Sequence, residues 1–178
     1  MTVEGGKILF LLDANVLIDA NRDYYGIGNV PEFWEWLVYH GKQGNIKIPI
    51  EIYEELKNGT DRLAAWAKRE ETKGALLLDE EVEISLVQKV VNEGYADDLD
   101  DTEVEKLGRD AFFISYALLP TVENQRCIVT TETSKPSRTR ANRHIPDVCD
   151  TFGILWINSY ELFKSLGFST NWRTQLSS

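Results

Sequence analysis

Short apolar runs alternate with helix-like segments along most of the chain, and this alternation constrains the fold more than any other feature. The run Lys7–Leu12 has the continuous apolar character of a strand buried on both faces. Asn45–Ile48, Cys127–Thr130 and Ile154–Ile157 are similar short runs. Strands that are separated by helices pair in parallel and are covered on both sides. The sequence therefore predicts a three-layer α/β/α fold with a central, mainly parallel sheet.

Capping and chain-breaking residues bound the helices that this alternation predicts. The acidic stretch Asp97–Glu103 is expected to be a solvated loop that leads into a helix, with Thr102 and Glu105 as a capping box. Ala75–Leu78 fits either a strand or an extended linker. Trp36 lies off the main apolar face of its helix and is the best candidate among the aromatic residues for a partner contact. The predicted helices are one near Val16 capped by Asn15, then Pro31–His40, Ile50–Lys57, Thr60–Thr72, Ser85–Asn92, Ala111–Leu119, Asp147–Phe152 and Ser159–Leu166.

Length and composition indicate a globular protein. The 178 residues are 43% hydrophobic and 27% charged, which suits a single domain at 1–166 and a polar tail at 167–178 anchored by Trp172. The net charge of −10 excludes a uniformly basic nucleic-acid coat, although bound cations can neutralise a carboxylate cluster. Cys127 and Cys149 fit free core thiols in a reducing compartment. No apolar run is long enough for a membrane span, so the expected location is cytoplasmic.

Acidic residues follow several of the predicted strands, where the sites of parallel sheets gather. Asp13 directly follows the first strand, and Glu132 follows the Cys127–Thr130 strand. Glu55 lies on the helix after the second strand, and Asp110 starts an apolar helix, where the helix dipole favours a carboxylate. Carboxylates that meet in one pocket repel each other unless a cation joins them, and hard divalent cations prefer oxygen ligands. The pattern predicts a metal-assisted phosphodiesterase site that needs no histidine base.

Each of these acids also has a purely structural interpretation. Asp13 and Asp110 occupy positions where aspartate commonly caps a helix. Glu55 fits the solvated face of an exposed helix, and Glu132 fits a turn. The shared location of the four acids, rather than any one of them, favours the functional interpretation.

Four short motifs resemble those of PIN-domain nucleases, in the same order along the chain. Phe10–Ile18 resembles the opening motif, in which an aspartate ends the first strand. Ile48–Leu56 looks like the second motif, in which a glutamate precedes leucine on the next helix. Gly108–Ile114 is similar to the third, an aspartate that starts an apolar helix. Ile128–Glu132 looks like the strand-end Thr-x-Asp motif, with glutamate in place of aspartate.

The resemblance covers nearly the whole chain and implies a Mg²⁺- or Mn²⁺-dependent ribonuclease with a PIN-like fold. The segment Ile145–Cys149 fits a longer branch of PIN-like proteins better than the compact toxin nucleases, and its Asp147 could replace or join Glu132 as the fourth acid. The implied catalytic acids are Asp13, Glu55, Asp110 and Glu132. The implied metal ligands are Asp13, Asp110, Glu132 and Asp147.

The same resemblance implies partners and products. RNA is the expected substrate, cleaved to 5′-phosphate and 3′-hydroxyl ends, with Asn15 and Thr130 of the matched motifs expected to contact it. PIN-domain nucleases are commonly the toxins of toxin–antitoxin pairs and often homodimers. An antitoxin protein and a second copy of the chain are therefore expected partners.

The loop Ser134–His144 is rich in cations and begins two residues after Glu132. It has no acidic residue and carries four cations, Lys135, Arg138, Arg140 and Arg143. Such a loop could arch over the proposed metals and hold the phosphates of RNA. A solvated loop with no binding role, or a surface on which an acidic protein docks, fits the same residues.

Two other functions remain compatible with the sequence. An aspartate after a first apolar strand also opens haloacid-dehalogenase-like phosphatases, but their mechanism needs a second acid two residues on, where this chain has Asn15. A catalytically degenerate PIN-like scaffold would act as a protein- or RNA-binding regulatory module. The glutamate at position 132 and the acidic net charge are compatible with that alternative.

Overall fold

The computed structural model describes residues 6–119 and 124–176, and it confirms the predicted architecture. One four-stranded, all-parallel sheet has the order β2-β1-β3-β4 and is flanked by helices in a three-layer α/β/α arrangement. Its strands are β1 (Lys7–Leu12), β2 (Ile46–Lys47), β3 (Asn124–Val129) and β4 (Leu155–Ile157).

Short helices connect these strands. In two places an α-helix continues directly into a π-helical turn, at Ala20–Tyr24 after α1 and at Val90–Tyr95 after α6. A 3₁₀ turn lies at Arg140–Asn142. The α-helices of the described residues are α1 (Ala14–Asp19), α2 (Pro31–Lys42), α3 (Ile50–Lys57), α4 (Arg62–Ala67), α5 (Glu70–Leu76), α6 (Ile84–Lys89), α7 (Asp101–Leu107), α8 (Asp110–Leu118), α9 (Ile145–Phe152), α10 (Ser159–Ser165) and α11 (Trp172–Gln175). No helix in these described ranges is long and apolar enough to cross a membrane.

Most differences from the predicted elements lie at their ends. The single helix expected at Thr60–Thr72 is wrong: it is the pair α4 and α5, because Arg69 adopts an extended backbone conformation between them. The ambiguous segment Ala75–Leu78 is divided: Ala75 and Leu76 end α5, and Leu77 forms an isolated parallel bridge with Ile48 at the edge of the sheet.

Two predicted helix caps are wrong. Asn15 is exposed within α1, because that helix begins at Ala14 with Asp13 in the capping position. The capping box of α7 is formed by Asp100 and Glu103 rather than by Thr102 and Glu105. Glu103 N donates to Asp100 Oδ1 at 2.8 Å, and Asp100 N donates to Glu103 Oε2 at 3.2 Å. Aspartate is as good a cap as threonine, so the helix starts earlier than predicted.

The aromatic residues pack in the core. The side chain of Trp36 is 1% exposed, so its predicted role as a partner contact is wrong. Its ring stacks on Phe33 at 5.8 Å and meets Phe168, from beyond α10, at 5.2 Å. Trp172 is buried and donates from Nε1 to Glu32 O at 3.0 Å, which confirms its expected role as the anchor of the C-terminal segment. Cys127 and Cys149 are free and buried, as predicted.

The strand order creates a switch point between β1 and β3. From β1 the chain crosses to β2 on one side and then returns to β3 on the other side of β1. Ligands of open parallel sheets bind outside the carboxyl ends of the strands at such a point. The carboxyl ends of β1 and β3 are aligned, because Leu12 pairs with Val129.

Candidate functional site

Asp13 and Thr130 are neighbours at the switch point. They follow the paired residues Leu12 and Val129, and Asp13 N donates to Val129 O at 3.0 Å. Thr130 Oγ1 donates to Asp13 Oδ2 at 3.0 Å, across 117 residues of sequence. The side chain of Asp13 is 8% exposed, and Thr130 is fully buried. Thr130 therefore acts on the site by holding Asp13 rather than by touching a substrate.

The side chain of Asp13 does not cap α1. It makes no capping hydrogen bond to that helix, although Asp13 occupies the capping position. Burial raises the pKa of Asp13 to about 6; the hydrogen bond from Thr130 opposes this rise, and the charges of Glu132 and Glu55 add to it. The structural interpretation of Asp13 as a plain cap thus does not account for its side chain.

Asp110 is the second acid at this site. It is the first residue of α8, and Arg109 rather than Asp110 occupies the capping position. The pKa of Asp110 is raised to about 7. Burial is the largest cause, and the charges of Glu132, Asp13 and Glu55 are the next causes. No hydrogen bond from the described residues offsets this rise. Asp110 is therefore a carboxyl group held next to three others without a protein donor.

Glu132 and Glu55 complete the group but are more accessible. Glu132 Oε2 accepts from Ile145 N, at the start of α9, at 2.8 Å, and its own backbone N donates to Thr130 Oγ1 at 3.2 Å. Glu55 projects from α3 and is exposed. Its neighbour Glu54 is instead paired with Lys57 at 2.7 Å.

The fold brings together the four acids expected from the sequence, which we call the acidic site: Asp13, Glu55, Asp110 and Glu132. Carboxylates held close together are stabilised by a bound cation, and an all-oxygen donor set suits a hard ion such as Mg²⁺ or Mn²⁺. Within residues 6–119 and 124–176, no three of the His, Cys, Asp and Glu side chains form a group that could hold a metal ion as they stand. The chemistry of the donor set, rather than a formed coordination geometry, is what fits a divalent cation.

Asp147 is placed differently from these four acids. Both of its oxygens hold the cation-rich loop Ser134–His144, which we call the basic loop. Oδ1 accepts from Ser134 Oγ at 2.6 Å, and Oδ2 accepts from Lys135 N at 2.9 Å. Burial tends to raise its pKa, but these hydrogen bonds outweigh burial and lower the pKa. Asp147 is not among the charges that raise the pKa of Asp13 or Asp110. Its contacts indicate an anchor for the loop rather than a member of the acidic site.

Two of the four cations in the basic loop are engaged within the protein. Arg140 pairs with Glu103 at 2.7 Å and with Asp98 at 2.6 Å. Arg143 donates to Gly94 O, and to Asp147 O at 2.7 Å. Both guanidinium groups therefore fix the loop, and neither is a free phosphate ligand.

The other two cations of the loop, Lys135 and Arg138, are exposed. Arg138 lines a cavity of about 320 Å³ together with Asp110 and Glu132. Two further residues of this cavity, Lys106 and His144, were not predicted from the sequence. His144 Nδ1 lies 2.9 Å from Thr133 O, which fixes the ring beside the cavity. A cavity that joins carboxylates to cations in this way suits a phosphate anion bridged to a metal ion.

The predicted contact Asn15 and the neighbour of Asp110, Arg109, also lie near the site. Asn15 is exposed on α1, two residues after Asp13, where it is accessible to a ligand. Arg109, beside Asp110, donates to Glu51 O and so connects α8 to α3, which carries Glu55.

The sequence analysis also missed Tyr95. Its side chain is 7% exposed, and its hydroxyl has no hydrogen-bond partner among the described residues. Burial raises its pKa well above the usual range, and the charges of Asp110 and Glu132 are the next causes. Tyr95 was missed because aromatic residues at core-like spacing carry no signal that separates a packed ring from a site residue.

Fold and site together define a class: an α/β protein with a carboxylate cluster at the switch point of a parallel sheet. The chain belongs to the family described as a domain of unknown function (DUF4411), whose model matches residues 10–170. That range includes the whole acidic site and Tyr95. No curated protein and no solved structure matches the chain.

Proposed function

We propose that this protein is a divalent-metal-dependent ribonuclease whose active centre is the acidic site. The observation that carries the proposal is that the fold holds Asp13 and Asp110 away from water beside Glu55 and Glu132, so that burial first, and the neighbouring acidic charges next, raise the pKa of Asp13 to about 6 and that of Asp110 to about 7. These are the four acids of the PIN-like motifs. The choice of RNA rests on that resemblance, as do a toxin role, an antitoxin partner and a homodimer.

The chain supplies the ligands and holds them in place. Asp13 and Asp110 would hold the ion, with Glu55 and Glu132 completing its shell. Bound there, Mg²⁺ or Mn²⁺ would act as a Lewis acid toward the phosphodiester and make an attacking water more acidic. Thr130 fixes the orientation of Asp13, and the first amide of α9 fixes that of Glu132. Such supporting hydrogen bonds commonly set the affinity of a metal site.

Cations at the rim of the site would receive the RNA backbone. Arg138 lines the cavity with Asp110 and Glu132, and Lys135 is exposed on the same loop. Arg140 and Arg143 hold this loop to the body of the protein, so its free cations are presented from a fixed support. A protein with a net charge of −10 can in this way attract phosphates locally.

The test combines calorimetry with RNA hydrolysis on purified protein. Mg²⁺ and Mn²⁺ are titrated into the wild type and into the double variant Asp13→Asn/Asp110→Asn, and cleavage of single-stranded RNA is followed in the same buffers. We expect ion binding and cleavage in the wild type and neither in the double variant. Glu55→Gln and Glu54→Gln form a matched pair on α3, and only Glu55→Gln should reduce cleavage.

Unchanged hydrolysis in the double variant would refute the proposal. Tight, metal-independent binding of RNA or protein by a wild type that does not cleave would favour the degenerate scaffold instead. An aspartyl-phosphate on Asp13 would point to the phosphatase alternative.

A further inference from the structure

The ring of His144 lies at the acidic site and is accessible there. It lines the cavity of about 320 Å³ together with Asp110 and Glu132. Its Nδ1 is 3.8 Å from Glu132 Oε2, and 25% of its side chain is exposed. Arg138, the exposed cation proposed to bind phosphate, lines the same cavity. A ligand bound between the acids and Arg138 therefore meets this ring.

Two segments that are bound to each other fix the orientation of the ring. His144 occupies the capping position of α9, and its Nδ1 lies 2.9 Å from Thr133 O, just before the basic loop. The next two residues, Ser134 and Lys135, donate to Asp147 on α9. The imidazole is thus oriented before a substrate binds, as a contact that determines specificity requires.

The neighbours of Nδ1 decide which ring nitrogen is the donor. Neutral imidazole carries one proton, and its hydrogen-bond partners determine which nitrogen holds it. The groups beside Nδ1 are the carbonyl oxygen of Thr133 and the carboxylate oxygen of Glu132, and both accept. Nδ1 therefore carries the proton. Nε2 makes no hydrogen bond to the described residues, so it keeps its lone pair as an acceptor.

An acceptor in this cavity distinguishes RNA from DNA. The phosphate groups of a nucleic acid only accept hydrogen bonds, so Nε2 does not bind them. The ribose 2′-hydroxyl is the donor of the RNA backbone, and DNA lacks it. This hydroxyl is on the sugar next to the phosphate. A phosphate held between the acidic site and Arg138 would therefore bring it toward the ring of His144.

We propose that His144 makes the site selective for RNA, because its Nε2 accepts a hydrogen bond from the 2′-hydroxyl of the nucleotide bound in the cavity. This inference rests on the proposed function. It gives a physical basis for the choice of RNA, which otherwise rests on the resemblance alone. His144 determines specificity in this way and does not carry out the hydrolysis.

The first experiment compares an all-RNA strand with strands that contain a single 2′-deoxy sugar, moved one position at a time through the cleavage site. We expect one position at which the deoxy sugar lowers kcat/KM of the wild type by on the order of 10-fold, the effect of one neutral hydrogen bond. His144→Asn keeps a donor toward Thr133 O and removes Nε2. It should cleave the all-RNA strand about 10-fold more slowly and be insensitive to the deoxy sugar at that position.

Two further variants serve as controls. His144→Gln carries an amide oxygen about as far from the backbone as Nε2, so it should recover part of the discrimination. Arg138→Gln should slow the cleavage of both strands equally, because both contain the phosphate. His144→Asn should fold as the wild type does, since asparagine is a good cap for α9. Its Mn²⁺ affinity should be within about twofold of the wild-type value, and a larger loss would identify His144 as a metal ligand and overturn the inference.

A binding readout tests the contact independently of turnover. The chain has two histidines, so ¹⁵N labelling of histidine gives two ring systems, and the one lost in His144→Asn identifies His144. Each strand is added in Ca²⁺ to slow cleavage. We expect the Nε2 resonance of His144 to shift upfield with the all-RNA strand and not with the deoxy strand. His40, whose Nδ1 is 2.9 Å from Asn45 Nδ2, should be unaffected by either strand.

The outcomes separate this inference from the proposed function. A wild type that cleaves the all-RNA strand and every deoxy strand equally would overturn the inference and leave the proposed hydrolysis standing. An equal loss of cleavage of both strands in His144→Asn would also overturn it. The same holds for an Nε2 resonance that does not shift with RNA. A shift with RNA alone, in a wild type that does not cleave, would support the contact and overturn the proposed hydrolysis.

Discussion

Asp13 and Asp110 are carboxyl groups that the fold holds away from water and beside other acids. Burial is the largest cause of their raised pKa values, about 6 and about 7 against 3.8 for a free aspartate. Between about pH 4 and pH 7 the folded protein therefore binds more protons than the unfolded chain. The free energy of unfolding contributed by these acids must then fall as pH rises through this window.

The first prediction concerns this pH dependence in metal-free protein. The free energy of unfolding of the wild type, relative to that of Asp13→Asn/Asp110→Asn, should decrease from pH 4 to pH 7. Asp13 alone should contribute on the order of 2–3 kcal/mol to this decrease, and Asp110 should add to it. Groups with lowered pKa values, such as Asp147, have the opposite trend, but they are common to both proteins and cancel in the difference. Urea denaturation at four or five pH values in EDTA measures this, and parallel curves would contradict it.

The second prediction concerns Thr130, whose hydroxyl donates to Asp13 and accepts from the amide of Glu132. Thr130→Val keeps the shape of the side chain and removes both hydrogen bonds. We expect Mn²⁺ affinity to fall by about 10- to 100-fold, as is usual when a supporting partner of a metal ligand is lost. Calorimetry measures this change. Ser134→Ala, which removes a donor to Asp147 instead, serves as the control and should leave Mn²⁺ affinity close to that of the wild type.

At this scale the sequence identifies the acids but not their supports. Asp13 lies directly after a strand, Glu132 lies three residues after one, and Asp110 starts a helix; local patterns can reveal such positions. Gly94, for example, packs so closely against α9, more than 50 residues later, that a Cβ there would clash with Val148 and Phe152. A contact of that kind depends on tertiary packing, and no local pattern encodes it.

The third prediction concerns the packing of the π-helical turn Val90–Tyr95 against α9. Gly94→Ala would place a Cβ against Val148 and Phe152, so we expect a loss of about 1–3 kcal/mol in the free energy of unfolding. Gly74→Ala is the matched control, because nothing lies within 4 Å of a Cβ at that position in α5. It should raise the free energy of unfolding by about 0.5–1 kcal/mol. Equal effects of the two substitutions in urea denaturation would contradict the packing argument.

The basic loop has two kinds of cations, and the kind determines what each substitution should do. Arg140 connects the loop to Asp98 and Glu103, with a positive φ of 53° at its own backbone. Arg138 is exposed on the cavity rim. The role of Arg140 in fixing the loop and the proposed role of Arg138 in binding phosphate can therefore be separated by experiment.

The fourth prediction uses this difference. Arg140→Gln should speed amide hydrogen exchange in residues 131–144, because the loop loses both of its carboxylate partners. Arg138→Gln should leave exchange unchanged but weaken RNA binding. The slope of the logarithm of the binding constant against the logarithm of the salt concentration should become less steep by about 0.7 per lost phosphate contact. Hydrogen exchange with mass spectrometry and binding titrations at several salt concentrations measure the two effects. Faster exchange in Arg138→Gln alone would reverse the assignment.

Elements with strong patterns could be predicted from sequence, and contacts between elements could not. The all-parallel sheet follows from apolar runs separated by helices, and β1 has the predicted bounds. The acidic stretch Asp97–Glu103 was expected to be solvated, yet two of its acids bind Arg140. The basic loop and the acidic stretch each have a purely local interpretation as solvated segments, and only the fold shows that Arg140 of the loop pairs with Asp98 and Glu103 of the stretch.

At the scale of the whole molecule, a net charge of −10 and the desolvated carboxyl groups of Asp13 and Asp110 act together against folding unless cations bind. A divalent ion that binds only the folded protein stabilises it by about 2.7 kcal/mol at 100 times its dissociation constant. For a chain of this size that gain corresponds to a rise of about 5–10 °C in the unfolding temperature. An ion bound at the acidic site would displace protons from Asp13 and Asp110, so the rise should be larger at pH 8 than at pH 5.

The fifth prediction is that Mn²⁺ raises the unfolding temperature through the acidic site rather than by general screening. KCl at equal ionic strength screens the net charge without occupying the site, so it should produce only a small rise that is the same in all variants. Mn²⁺ should add its larger, pH-dependent rise in the wild type and in Glu54→Gln, but not in Asp13→Asn/Asp110→Asn. Scanning calorimetry with and without EDTA measures the difference. An equal Mn²⁺-dependent rise in the unfolding temperature of the double variant would mean that the ion acts on the surface charge of the molecule. That result would contradict the proposal that the acidic site is a metal centre.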